Sequence, residues 1–191
     1  ILKEIRKQCK ENSIWCIINE GFIHNSEKYN IAILIDRKGK IKGRYKKKNL
    51  CGDIGYKPGS KVKVYNTDFG KIGVAICWDL AFPELFNKMK KSGAKIIFVP
   101  SMWNYEEKAY EKNHKLNEIK LLKSMILTRS FENLCYIGYC SPITEEKELV
   151  SYSAIASPHK VLKEIKHKEG LIYADLSYSE LSKFKRLYPG K

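Results

Sequence analysis

From Gly73 to Leu85 the chain reads Gly-Val-Ala-Ile-Cys-Trp-Asp-Leu-Ala-Phe-Pro-Glu-Leu. A short apolar run bounded by a turn is a buried strand. Pro83 suits the first turn of a helix, where its missing N–H costs nothing. A buried strand that feeds directly into a helix commits a chain to layers of helix on sheet.

The flanking patterns agree with that class. Residues 1–11 read as an amphipathic helix, with Leu2, Ile5 and Cys9 at helical spacing. Strands are expected over 14–19 and 29–36, with a turn region at 21–28 between them. Arg37-Lys38-Gly39-Lys40 is a turn with glycine at the permissive position, and 41–45 returns as a hairpin partner. A long loop, 46–60, precedes strands at 62–66 and 71–77. A helix follows from Pro83 to about Ser92, stopped by Gly93. Next come a strand at 95–100, a long helix at 107–132 and a strand at 133–140. Strands at 151–156, 161–165 and 170–174 and a helix at 177–187 complete the chain. Strands and helices alternate in the middle and hairpins lie on either side, which predicts an α/β domain of the α+β type with mixed sheets.

A cysteine at the end of the buried strand stands near backbone N–H groups and the positive end of a helix. Both favour the thiolate, the reactive form, and the same N–H groups are placed to receive the negative oxygen of a tetrahedral intermediate. Cys77 therefore reads either as a nucleophile or as a small buried cysteine at a strand end. Lys46, Lys47 and Lys48 read as a solvated basic run, or as a run that sends one lysine into a pocket. Arg129 and Glu132 are one helical turn apart, close enough for an ion pair. With Asn133 they read as anchors of a helix end.

Composition narrows the classes further. The chain has 191 residues with 43% apolar side chains and a net charge of +15. It has no run approaching the roughly 18 apolar residues of a membrane span and no visible signal peptide. The charge favours anionic partners, but it is spread over solvated faces. Residues 38–48, its densest run, carry no aromatic stacking motif, so nucleic-acid binding is not expected. The six cysteines include no C-x-x-C pair, and the four histidines form no ligand spacing. Free thiols in a reducing cytoplasm, without a metal, are expected.

Several segments, in order, resemble the nitrilase or carbon–nitrogen hydrolase superfamily. Tyr45-Lys46-Lys47-Lys48-Asn49-Leu50 is similar to its Tyr-Arg-Lys-x-His-Leu motif, with Asn49 in place of the usual histidine. Pro58-Gly59, Pro100-Ser101, Arg129-Ser130-Phe131-Glu132-Asn133 and the stretch from Ser153 to Pro158 resemble further family motifs. Gly73 to Glu84 resembles the nucleophile motif. The resemblance implies a four-layer α-β-β-α sandwich and one carbon–nitrogen hydrolase domain over 1–191. It implies Cys77 as nucleophile, Lys47 as catalytic lysine and the N–H of Trp78 as an oxyanion donor. A Glu–Lys–Cys triad hydrolyses a small linear amide, carbamoyl compound or nitrile through an acyl-cysteine. No cofactor is implied, and a homodimer or higher homo-oligomer is expected.

The family's triad glutamate lies in a strand–helix–strand portion ahead of the lysine. Glu4, Glu11, Glu20 and Glu27 stand in no matching motif. The sequence is thus expected to be N-terminally incomplete, either a fragment of a longer enzyme, which its non-Met start favours, or a shortened homologue. The shortened homologue would serve as a catalytically impaired binding or assembly module. For a second family glutamate, in the loop after the lysine, Asp53 is the nearest carboxylate.

Overall fold

The computed structural model describes residues 1–24, 26–105, 112–143 and 149–190, apart from the side chains of 24 and 112–116. The chain opens with α1 (Leu2–Glu11) and an antiparallel sheet of β1 (Cys16–His24), β2 (Glu27–Ile35) and β3 (Ile41–Lys46). A second sheet holds six strands in sequence order: β4 (Val64–Thr67), β5 (Gly70–Val74), β6 (Ile96–Pro100), β7 (Tyr136–Cys140), β8 (Tyr152–Ser157) and β9 (Lys160–Lys166). β5, β6 and β7 pair in parallel and the outer strands antiparallel. Parallel neighbours need crossovers, and α2 (Pro83–Lys91) and α3 (Lys112–Asn133) lie in those connections. α4 (Tyr178–Leu187) ends the order.

Burial sets the layers. β2 is apolar on both faces, as a strand covered on both sides must be. Ile31, Ile33 and Ile35 point outward and pack with Leu2, Ile5 and Cys9 of α1. The alternate residues Ala32 and Leu34 point inward. Ala32 meets Val74 and Ile76, and Leu34 meets Ile72 and Ile96, across the gap between the sheets. On the far face of the second sheet, Leu85, Phe86 and Met89 of α2 and Ile119, Leu122 and Ile126 of α3 cover Ile97, Val99 and Ile137. Each such fully buried side chain stabilises by about 1.5–3 kcal/mol. The order helix, sheet, sheet, helix is the expected four-layer α-β-β-α sandwich.

Several local expectations change. The turn region expected at 21–28 is mostly strand. β1 and β2 pair from Cys16 opposite Ile35 to His24 opposite Glu27. Gly21 marks a close approach rather than a turn, because a Cβ there would lie 2.6 Å from the Tyr56 hydroxyl. The strand expected at 170–174 is absent from this described segment, where Leu171 and Tyr173 are exposed. The strand expected at 71–77 ends at Val74, and Cys77 opens a 3-10 turn, Cys77–Ala81. The long helix is described from Lys112; its expected start at 107–111 lies outside the described residues.

The loop after β3 is held against the sheet. The Lys47 N–H donates to the Asn30 carbonyl (2.8 Å), and the Gly59 N–H donates to the Lys47 carbonyl (2.7 Å). A Cβ on Gly59 would sit 2.3 Å from the Lys46 carbonyl oxygen, which is backbone and has little room to yield. Gly59→Ala is therefore expected to cost about 1–3 kcal/mol in urea denaturation. Gly190→Ala, where nothing lies within 4 Å, should leave the midpoint unchanged.

Candidate active site

Past β5 the chain crosses Ala75 and Ile76, both buried, and turns sharply at Cys77, whose φ is +49°. A non-glycine residue in the left-handed region costs roughly 1–2 kcal/mol, and such strain collects at functional turns. Asp79 closes the turn by accepting the Ile76 N–H, and it reaches across to Tyr45 of β3 and Asn49 of the loop after it. From the other side Arg129 donates to the carbonyls of Leu80 (3.1 Å) and Ala81 (3.4 Å) and pairs with Glu132 (3.1 Å). The Asn133 amide donates to the Arg129 carbonyl at 2.8 Å. The expected anchoring at this helix end thus reaches the Cys77 turn through Arg129, with Glu132 and Asn133 bonded to it.

The sulfur faces the segment after β6. Its S–H donates to the Met102 carbonyl at 3.6 Å. The Ser101 hydroxyl lies beside it and accepts a hydrogen bond from the Tyr139 hydroxyl at 2.8 Å. Lys47 and the Trp78 N–H complete the surroundings. The Trp78 ring stacks at a tilt on Trp103, with centroids 5.1 Å apart.

Lys47 is only 3% exposed. Its ammonium meets Asp53 at 2.5 Å. Asp53 also accepts from the Asn30 amide (2.8 Å) and the Cys51 N–H (3.0 Å). Burial pushes the Asp53 carboxyl up, but these hydrogen bonds and the lysine charge outweigh it and hold the group below its ordinary value. Asn30 is itself braced by the Asn19 amide at 2.7 Å.

Of the four predicted site residues, Lys47 pairs directly with Asp53, and the Lys47 charge and the Trp78 N–H both act on the Cys77 thiol. Glu4 and Glu11 bond to Gln8 within α1, and Glu27 binds Tyr29. Glu20 lies on β1 opposite Ile31. Sequence reasoning passed over Asp79, Ser101 and Tyr139. The available signal was a polar residue inside or just after an apolar run, which has to find a partner once buried. An apolar cavity of about 390 Å³ between the sheets is lined by Trp15, Ile17, Leu34, Phe98 and Cys140, and none of the four predicted site residues lines it. Among the described residues no group of three or more His, Cys, Asp or Glu could hold a metal ion.

The expectation that local N–H groups and a helix end leave Cys77 ionised needs correction. α2 begins only at Pro83, beyond the 3-10 turn. Burial pushes the thiol above its ordinary value. The Ser101 hydroxyl, the Lys47 charge, the Met102 backbone and the Trp78 N–H pull it down without prevailing.

Two facing sheets between helical layers, with cysteine, lysine and a carboxylate gathered at one loop cluster, define a nitrilase-type sandwich. The family model for carbon-nitrogen hydrolases matches residues 1–186, and the chain belongs to that family, within the nitrilase superfamily. It is 24% identical over 193 residues to 2-oxoglutaramate amidase of Bacillus subtilis, covering 97% of this chain and 70% of that protein. It is 31% identical over 179 residues to a probable nitrilase of Schizosaccharomyces pombe, covering 88% and 62%. The fold matches the carbon-nitrogen hydrolase of Helicobacter pylori with a TM-score of 0.90 at 18% identity, over 98% of this chain and 70% of that one.

Alkylation of a thiol follows its thiolate fraction. The labelling rate of Cys77 with iodoacetamide, followed on its peptide by mass spectrometry, should rise with pH to a midpoint above that of an unperturbed cysteine thiol measured alongside. Lys47→Met removes a charge that favours the thiolate and should move the midpoint further up. A midpoint below that of an unperturbed thiol, or one that Lys47→Met lowers, contradicts this reading.

Proposed function

We propose that the protein hydrolyses the carbon–nitrogen bond of a small linear amide through an acyl-cysteine at Cys77. The observation that supports this reading is that the charge of the buried Lys47 ammonium and the Trp78 N–H both act on the Cys77 thiol. A nucleophile with two donors beside it is what acyl transfer requires. The raised thiol makes a base necessary, and the resemblance gives that part to a glutamate.

The steps follow from these groups. The thiol proton passes to the base as sulfur bonds to the amide carbon. The carbonyl oxygen takes negative charge, which the Lys47 ammonium and the Trp78 N–H stabilise. The base returns its proton to nitrogen, the C–N bond breaks, and ammonia or an amine leaves. Water, deprotonated by the same base, then attacks the thioester and releases the acid and the thiol. Asp53 holds the ammonium in place, and its depressed pKa keeps it an acceptor during the cycle.

A substrate carrying a carboxylate is favoured by the net charge of +15 and by the 2-oxoglutaramate amidase among the relatives. Carbamoyl compounds and nitriles present the same electrophilic carbon and come next. The proposal treats the 191 residues as one carbon–nitrogen hydrolase domain, acting in a homo-oligomer in a reducing cytoplasm, with the base being the glutamate that the resemblance places in a portion ahead of the lysine that no residue here matches. The six free cysteines suit that compartment.

Ammonia release from a panel of linear amides, with and without a carboxylate, tests the reading. Turnover should favour carboxylate-bearing amides, and Cys77→Ala should lower it by at least about 10³-fold. Rapid quenching should trap an acyl adduct on the Cys77 peptide that hydroxylamine removes. Lack of both turnover and adduct across the panel would favour a binding module on this fold instead.

A further inference from the structure

Asp79 takes no part in the chemistry above, yet its carboxylate is wholly buried and accepts four hydrogen bonds. One oxygen receives the Tyr45 hydroxyl at 2.8 Å and the Ile76 N–H at 3.0 Å. The other receives the backbone N–H and the side-chain amide of Asn49, both at 2.9 Å. A carboxylate offers about four lone-pair sites, and here all are used. The donors come from two separate stretches of chain. Tyr45 and Asn49 stand two residues to either side of Lys47, and Ile76 directly precedes Cys77.

We propose that Asp79 is a positioning residue: a clasp that ties the stretch on both sides of Lys47 to the turn that carries Cys77, and so sets the separation of ammonium and sulfur. β3 ends at Lys46, so residues 47–49 lie beyond the strand ladder. The backbone bonds of Lys47 to Asn30 and Gly59 fix where the main chain passes. They do not tie it to the nucleophile turn; the bonds to Asp79 do. The clasp also accounts for Asn49 standing where the resemblance has histidine. An asparagine's short amide reaches the same carboxylate oxygen as its own backbone N–H, doubling the tether at that end. A glutamate at position 79 would push the carboxylate one carbon further into the same four donors. An asparagine there would set an N–H₂ against donors.

The consequence for turnover rests on the proposed function, but the test does not. Replacing Asp79 itself mixes two effects, since loss of a nearby negative charge lowers a thiol's pKa while a displaced ammonium raises it. Asn49→Ala and Tyr45→Phe loosen the clasp without changing any charge. The readout is the pH profile of iodoacetamide labelling at Cys77, taken in the wild type, in each variant and in each variant combined with Lys47→Met. Circular dichroism establishes that each is folded, and the two variants serve as alternates if one is not. Each is expected to shift the profile upward, with labelling at fixed pH about three- to tenfold slower. The shift should shrink to nearly nothing in the Lys47→Met background, because there is no ammonium left to misplace. An unchanged profile in a folded variant overturns the proposal, and so does a shift that persists undiminished without Lys47. Absence of amide hydrolysis with the expected profiles would sink the proposed function and leave the clasp standing.

Discussion

The site depends on the ammonium of Lys47, a costly group to bury, which is almost entirely withdrawn from water. Burying an unpaired ion costs several kcal/mol, and a pair recovers that only with good geometry and further hydrogen bonds. The surrounding structure supplies both. Asp53 meets the ammonium directly, Asn30 and the Cys51 N–H complete the carboxylate, and Asn19 steadies Asn30 from the adjacent strand. The register of β1 on β2 therefore matters to the site, because a one-residue slip of β1 would turn Asn19 to the face opposite Asn30.

The same economy governs the cysteine. Its turn is strained at a left-handed backbone, closed by Asp79 from within and by Arg129 from α3. Burial raises the thiol's pKa while neighbouring donors and the Lys47 charge pull it down, a balance that under the proposed function suits a nucleophile that gives up its proton when a base is in place. The packing of the second sheet against α2 and α3 is what makes so tight a turn bearable, since apolar burial on that face outweighs the local strain.

Much of this was legible in the amino-acid order. The strand–turn–helix around Cys77 announced itself because an apolar run, a polar break and a proline each have one cheap local solution. The β2 strand followed from its unbroken apolar stretch, but which of its faces lies between the sheets did not. The β1–β2 hairpin was less legible. Gly21 looks like a turn residue, and only the Tyr56 ring packed on it explains the glycine. The run at 170–174 alternates like a strand, but pairing depends on a neighbouring edge, which no local pattern reveals. Lys47 and Asp53 are six residues apart on a loop, and nothing in that spacing says the loop folds back to pair them. Asp79 was invisible for a similar reason: its four donors come from stretches about thirty residues apart as well as from next door. The direction of the Cys77 shift depends on burial set by the whole sandwich, so motif reading alone pointed the other way.

The account stands on one juxtaposition, a sulfur and an ammonium serving the same small molecule. A crystal structure of the protein with Cys77 carbamidomethylated by iodoacetamide tests it most directly, because the adduct places a carbonyl oxygen beside the sulfur. The oxygen should lie about 2.7–3.1 Å from both the Lys47 ammonium and the Trp78 N–H. An adduct whose oxygen points to solvent, with Lys47 still turned wholly to Asp53 and out of its reach, would contradict the account.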